Sequence, residues 1–192
     1  MFENLLNFNT GVKPNHGSLL IAEPYLQDVH FQRSVVLLCH AGLQETVGYV
    51  LNKKMEMPLS QLVNAIDHPD FPVYMGGPVS PDTLHFVHIR PDLIGGNSIT
   101  GGLFWNGDFE KAIDAIHNNE LKPDECKFFL GYAGWGQGQL DAEIDMNSWL
   151  VTQMDIPFIL SNSVDVMWND SIEKLGHPYH HLLHMPLNPE WN

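Results

Sequence analysis

Val35-Val36-Leu37-Leu38 sets four apolar side chains at consecutive positions, and in an extended strand neighbouring side chains point to opposite faces. Both faces must then be covered, so this segment is an interior strand with packed layers above and below it. Ser18-Leu19-Leu20-Ile21-Ala22 reads the same way, ended by Pro24, and so does Lys127 to Tyr132 around Phe128-Phe129-Leu130. Thr46 to Asn52 is a further strand. The short linker of residues 40–45 predicts a hairpin between it and the strand that ends at Cys39.

The remaining pattern is irregular. Pro58 opens a short helix with Leu59, Leu62, Val63 and Ile66 on one stripe. Val73 to Met75, Leu84 to Ile89 and Leu103 to Trp105 read as strands, the last preceded by a turn bracketed by Gly95-Gly96 and Gly101-Gly102. Asp108 caps the clearest helix, with Phe109, Ala112, Ile113 and Ile116 at helical spacing. A glycine-rich loop after Tyr132 leads to a helix of about two turns from Gln139, with Leu140 and Ile144 inward. Trp149-Leu150-Val151 and Pro157-Phe158-Ile159-Leu160 read as strands. Ser163 caps a final helix carrying Val164, Trp168, Ile172 and Leu175, stopped by Gly176. About eight or nine strands and four helices result, with no βαβ alternation and no repeat. The expected fold is α/β of the α+β type: a mixed, largely antiparallel sheet with flanking helices.

A chain of 192 residues fits one domain, with residues 1–16 as a leader segment and 177–192 as a histidine-rich tail. Twenty-three acidic against nine basic residues give a net charge of −14. The acids concentrate late: residues 1–107 hold nine acids and five bases, residues 108–192 fourteen and four. Binding duplex DNA requires Lys and Arg to displace counterions, so direct nucleic-acid contact is disfavoured. Cys39 and Cys126 both adjoin apolar runs and read as reduced core thiols. Met1-Phe2-Glu3-Asn4 lacks the basic start of a signal peptide, and no apolar stretch reaches membrane-spanning length. The expected location is the cytoplasm, without membrane association.

Five segments in order carry a resemblance: Gly17 to Pro24; Asp28-x-x-Phe31-x-Arg33-Ser34-Val35-Val36; Gly48 to Lys53; Met75-Gly76-Gly77-Pro78-Val79; and Gly131 to Ile144, followed by Trp149-Leu150. Together they resemble the YqgE/AlgH family of bacterial proteins, over about residues 17–176. The resemblance implies an α/β fold whose branched sheet curls into a partial barrel. Members often carry a transcriptional-regulator label, and no catalytic residues come with the family. The tail Gly176 to His184 departs from the pattern.

Several groups are candidates for chemistry. Arg33, at the entry of a buried strand, either clamps an anionic ligand or is held by Asp28 or an acid of the 141–145 segment. The Gly131–Glu143 segment matches neither the phosphate-loop nor the dinucleotide fingerprint, and the acids Asp141, Glu143 and Asp145 repel anions. Its glycines then serve close backbone packing, with Trp135 filling the core or lying against Gly76-Gly77-Pro78. Asp141 and Asp145 share a helix face while Glu143 points elsewhere. Ser34, His40 and Asp28 have the composition of a hydrolytic triad but lack a nucleophile elbow, and the Ser34 hydroxyl is expected to bond to backbone. His85 and His88 face opposite sides of a strand. If Pro178 starts a helix, His177, His181 and His184 fall near one face and form a weak metal candidate; against it stands a plain histidine-rich tail.

Two functions of different classes follow. The first is a non-enzymatic binding or regulatory protein acting through contacts with a protein partner, with no cofactor. The alternative is a ligand-binding protein or enzyme with a site between the Gly76-Gly77-Pro78 and Trp135–Gly138 loops, lined by Arg33, Asn52, Trp135 and Gln139. Direct DNA binding ranks last.

Overall fold

The computed structural model describes residues 10–64, 66 and 71–186. Strands β1 (Leu19–Ala22), β2 (Val35–Ala41) and β3 (Glu45–Val50) run antiparallel, with Ile21 opposite Val35 and Leu37 opposite Tyr49. β10 (Trp149–Thr152) joins the other edge of β1, Ile21 opposite Leu150. The consecutive apolar residues divide by parity. Leu19, Ile21, Val35 and Leu37 enter one core with Tyr49, Leu51 and Leu150. Leu20, Ala22, Val36 and Leu38 enter another with Val50, Trp135, Trp149 and Val151. Each such side chain contributes about 1.5–3 kcal/mol when fully buried, and a slip of one residue would exchange every member of the two sets.

The second half of the sheet is built on β9 (Cys126–Gly136), eleven residues long. Its first half lies between β5 (Pro72–Met75), parallel to it, and β6 (Val79–His88), antiparallel. Its second half pairs with β3, Glu45 opposite Gly136. The sheet therefore branches at β9, with β4 (Lys54–Pro58) outside β5. β8 (Leu103–Trp105) and β7 (Asn97–Thr100) extend it beyond β6. Ile99 and Leu103 return to the core of β1 and β2, and Thr100 lies so near Gly17 that a Cβ on the glycine would stand 2.2 Å from its Cγ2. This curl makes a partial barrel; no ladder joins β7 to β10, so the barrel does not close.

Helices cover the faces. α1 (Leu59–Leu62), α2 (Pro91–Ile94) and α3 (Phe109–His117) enclose a core with Phe71, Val73, Phe86 and Phe128. The Asp108 side chain caps α3 by accepting from the Lys111 amide. α4 (Gln139–Asp145) buries Leu140 beside Trp135 and Trp149. On the opposite layer, α5 (Ile156–Leu160), α6 (Val164–Leu175) and a 3-10 helix (His177–His184) pack on the odd-numbered residues of β1 and β2.

The structure corrects several expectations. Pro157 to Leu160 is helical, because the Asp155 carboxylate accepts from the Phe158 amide and Pro157 sits in the first turn. Residues 133–136 continue β9 where a loop is expected. Ser163 precedes α6 without a side-chain cap. Ten strands and six α-helices are present among the described residues, because β4, β7 and α2 carry too few buried residues to announce themselves. Of the predicted leader and tail, residues 1–9 and 187–192 lie outside the described residues. No helix among those described is long and apolar enough to cross a membrane.

Candidate binding cleft

β9 ends in Trp135, a tight turn follows, and α4 begins. Gly138 takes the left-handed conformation at φ 70°, which glycine adopts without steric cost. The Gln139 side chain closes the turn: its Oε1 accepts from the Gly136 amide at 3.1 Å, and its Nε2 donates to Glu143 Oε1 at 3.0 Å. The pair is one helical turn apart, where side chains meet.

Glu143 is the centre of the arrangement. Its Oε2 accepts from both the Trp135 and Trp149 indole N–H groups, at 2.9 and 2.8 Å. Both tryptophans are buried, so each N–H requires an acceptor, and one carboxylate oxygen serves both. The two rings meet edge to face at 6.0 Å. Phe31 lies over them, stacked on Trp135 at 6.3 Å and edge-on to Trp149 at 5.5 Å. Phe31 is placed by a turn in which its amide, and that of Gln32, donate to the Asp28 carbonyl, while the Asp28 carboxylate accepts from the His30 amide.

Beside these groups opens a cleft of about 390 Å³, lined by Leu26, Asp28, Phe31, Pro78, Val79, Gly134, Trp135, Gln139, Glu143, Ser148 and Trp149. Among the described residues its only formally charged lining groups are Asp28 and Glu143. Among the described residues neither forms an ion pair with a basic side chain. The Lys53 ammonium feels Asp28 but donates to the Val29 carbonyl; burial pushes its pKa down.

Of the residues singled out from the sequence, Pro78, Trp135 and Gln139 come together in this cleft. Gly76 and Gly77 do not line it. They are buried beneath β9, where a Cβ on Gly77 would meet the Tyr132 carbonyl at 2.3 Å. Asn52 completes the β2–β3 pairing, accepting from the Val35 amide and donating to the Arg33 carbonyl, both at 2.9 Å. Among the described residues Arg33 has no ion-pair partner, and it is not part of this cleft's lining. Its guanidinium lies 4.7 Å over the Trp168 ring and donates to the Met185 carbonyl at 2.5 Å, tying down the chain after the 3-10 helix. Ser34 is buried with its hydroxyl unbonded, where a backbone partner is expected. His177 and His180 pair at 5.8 Å, because a 3-10 helix repeats every three residues. No group of three or more metal-ligating side chains is assembled among the described residues.

Sequence reasoning does not assign Glu143, Trp149, Phe31 or Asp28 to this cleft; it weighs Asp28 and Glu143 only in other groupings. The available signals are the Gln139–Glu143 spacing and the need of two tryptophan N–H groups for an acceptor.

The comparisons agree with this architecture. The family described as AlgH-like matches residues 19–180. A UPF0301 protein of Parabacteroides distasonis is 42% identical over 187 residues, covering 94% of this chain and 93% of the relative. One from Chlorobium luteolum is 38% identical, covering 96% and 98%. Among solved structures, a protein of Corynebacterium diphtheriae superposes with a TM-score of 0.79 at 23% identity, covering 96% of this chain and all of that one. The solution structure of the AlgH protein from Pseudomonas aeruginosa gives 0.68 at 24%, covering 91% and 97%. Those two likenesses concern the fold; the matched length and the sequence identities establish that the chain belongs to the AlgH-like, UPF0301 family.

Proposed function

We propose that this chain is a non-catalytic binding protein whose cleft receives a cationic group, a guanidinium or alkylammonium, presented by a protein partner. The observation that supports this reading is the Glu143 carboxylate. Three N–H donors fix it beside an aromatic wall, and among the described residues neither it nor Asp28 forms an ion pair with a basic side chain. A preformed carboxylate beside aromatic faces suits a cation that also carries apolar surface. It suits proton transfer poorly, since one oxygen is committed to two indoles and the other to Gln139. The net charge of −14 favours a basic partner and opposes the phosphate backbone of DNA, so a regulatory role is read here as one exerted through protein contacts.

The test is an array of arginine- and lysine-bearing peptides, set against the same peptides with citrulline or norleucine at those positions. Preferential capture of the cationic set, weakened at least about tenfold by Glu143→Gln, is the expected result; tenfold corresponds to about 1.4 kcal/mol. Equal capture of the neutral set, or indifference to Glu143→Gln in a folded variant, would refute the reading.

A further inference from the structure

The opposite flank of α4 carries a second feature. Two hollows of about 540 and 520 Å³ share Pro14 and Asp141, and so run into a single trough. Its walls are the tip of the β2–β3 hairpin, the turn at residues 136–138, the strip of residues 11–14, and α4. Of the large apolar side chains, Leu43 at 89% and Met146 at 70% are among the three most exposed. Leu43 lines the trough, and Met146 follows Asp145 at the end of α4. Val12, also exposed, lies along the wall. Large apolar side chains held out in water around a concavity mark interaction surfaces.

Charge decides what fits. Asp141 and Asp145 line the trough, the exposed Glu45 stands opposite Gly136 in the β3–β9 register, and among the described residues Lys13 is the single basic one of the lining. A second copy of this chain would bring the same acids, within a net charge of −14 of its own, and like charges across an interface oppose association. We infer that the trough is a docking surface for a basic, apolar-anchored segment of a partner protein: hydrophobic side chains settle against Leu43, Val12 and Met146, and flanking lysines or arginines face Asp141 and Asp145. The surface uses none of the aromatic–carboxylate cleft, so it stands or falls separately from the proposed function.

The experiment places a photo-crosslinking amino acid at Leu43, at Met146 or, as control, at Val166, an exposed apolar position on α6 in the opposite layer. The full chain is irradiated in the cells that make it, and the crosslinked segment is mapped by mass spectrometry. The expected result is one foreign segment, basic and apolar, joined from positions 43 and 146 but not 166. A synthetic peptide of that segment should then bind the full chain in calorimetry. Leu43→Asp and Asp141→Lys should each weaken it at least tenfold, and Glu143→Gln should leave it within twofold. Crosslinks only to another copy of the chain, to an acidic or uncharged segment, equally from position 166, or to nothing would overturn the inference. So would loss of the interaction in Glu143→Gln, which would assign the contact to the cleft.

Discussion

Glu143 shows how one side chain can hold a site and part of the core together. Its Oε2 satisfies the indoles of Trp135 and Trp149, which lie among Leu20, Val36, Leu38 and Leu140. Glu143→Ala leaves two buried donors without an acceptor and should cost about 2–4 kcal/mol in urea denaturation, with a shifted tryptophan emission. Glu143→Gln keeps an oxygen for the indoles, but its amide opposes that of Gln139, so its cost should stay near about 1 kcal/mol. A Glu143→Ala loss below about 0.5 kcal/mol would show that the indoles find other acceptors. Arg33 acts elsewhere. It holds a positive φ of 47°, unusual for a side chain of its size, and its contacts with Trp168 and the Met185 carbonyl fasten the chain end. Arg33→Ala should therefore speed chymotryptic cleavage within residues 177–185 and leave cleft binding unchanged; protection equal to the parent would contradict that role.

Element by element, legibility in the sequence follows burial. β1 and residues 35–39 of β2 are readable because every position is apolar, which only a strand covered on both sides explains. β7 is not, since Ile99 is its one buried residue, and α5 is too short for a helical period to emerge from Ile-Pro-Phe-Ile-Leu. The end of β9 looks like a loop because its glycines answer to close backbone approach, a tertiary property. Gly131 has φ 67°, and a Cβ there would stand 2.5 Å from the Gly77 carbonyl oxygen and 2.9 Å from that of Val79. Backbone atoms in a ladder cannot retreat, so Gly131→Ala should destabilise by about 3 kcal/mol, combining left-handed strain with overlap. Gly134→Ala on the same strand meets only side chains, the Tyr132 ring at 3.2 Å and Val79 Cγ2 at 3.8 Å, and should cost under about 1 kcal/mol. Comparable losses in the two variants would refute the close-approach argument. The cleft divides similarly. Pro78, Trp135 and Gln139 are nameable from local sequence, whereas the convergence of Asp28, Phe31, Glu143 and Trp149 depends on β10 and α4 meeting across the second core. Asn52 turns instead to scaffolding, because the entry to β2 leaves backbone groups that its side chain satisfies, and the Arg33 side chain reaches the Met185 carbonyl and the Trp168 ring.

Across the whole molecule, the buried ionisable groups combine into one pH profile. Lys127, only 2% exposed, has no carboxylate beside it among the described ion pairs. Its ammonium lies 4.1 Å over the Tyr74 ring and donates to the Ser161 carbonyl at 2.7 Å, and burial lowers its pKa to about 7. Above pH 7 the folded chain has released this proton while the unfolded chain holds it to about 10.5, so the unfolded state binds more protons and stability rises with pH. Burial also lowers the pKa of His85 and His88 below 6.5; His88 accepts from the Arg90 amide through Nδ1 and faces the Asn106 carbonyl through Nε2, which fixes a neutral ring. These two have the same sign, so stability falls as pH drops below about 6.5 and the unfolded imidazoles take up protons first. The thiols of Cys39 and Cys126, and the phenols of Tyr49 and Tyr74, are pushed the other way by burial, Tyr74 to about 12. Above pH 9 the unfolded chain therefore loses protons that the folded chain keeps, and stability declines. The maximum should fall near pH 9. The rise from pH 7 to 9 should reach up to about 2 kcal/mol and vanish in Lys127→Met, which should be at least as stable as the parent at neutral pH because a hydrophobic side chain replaces a buried amine. Urea midpoints across pH 5–10 measure this directly. A parent curve flat from 7 to 9, or a rise that survives in Lys127→Met, would mean that Tyr74 and the carbonyls after α5 compensate the ammonium fully.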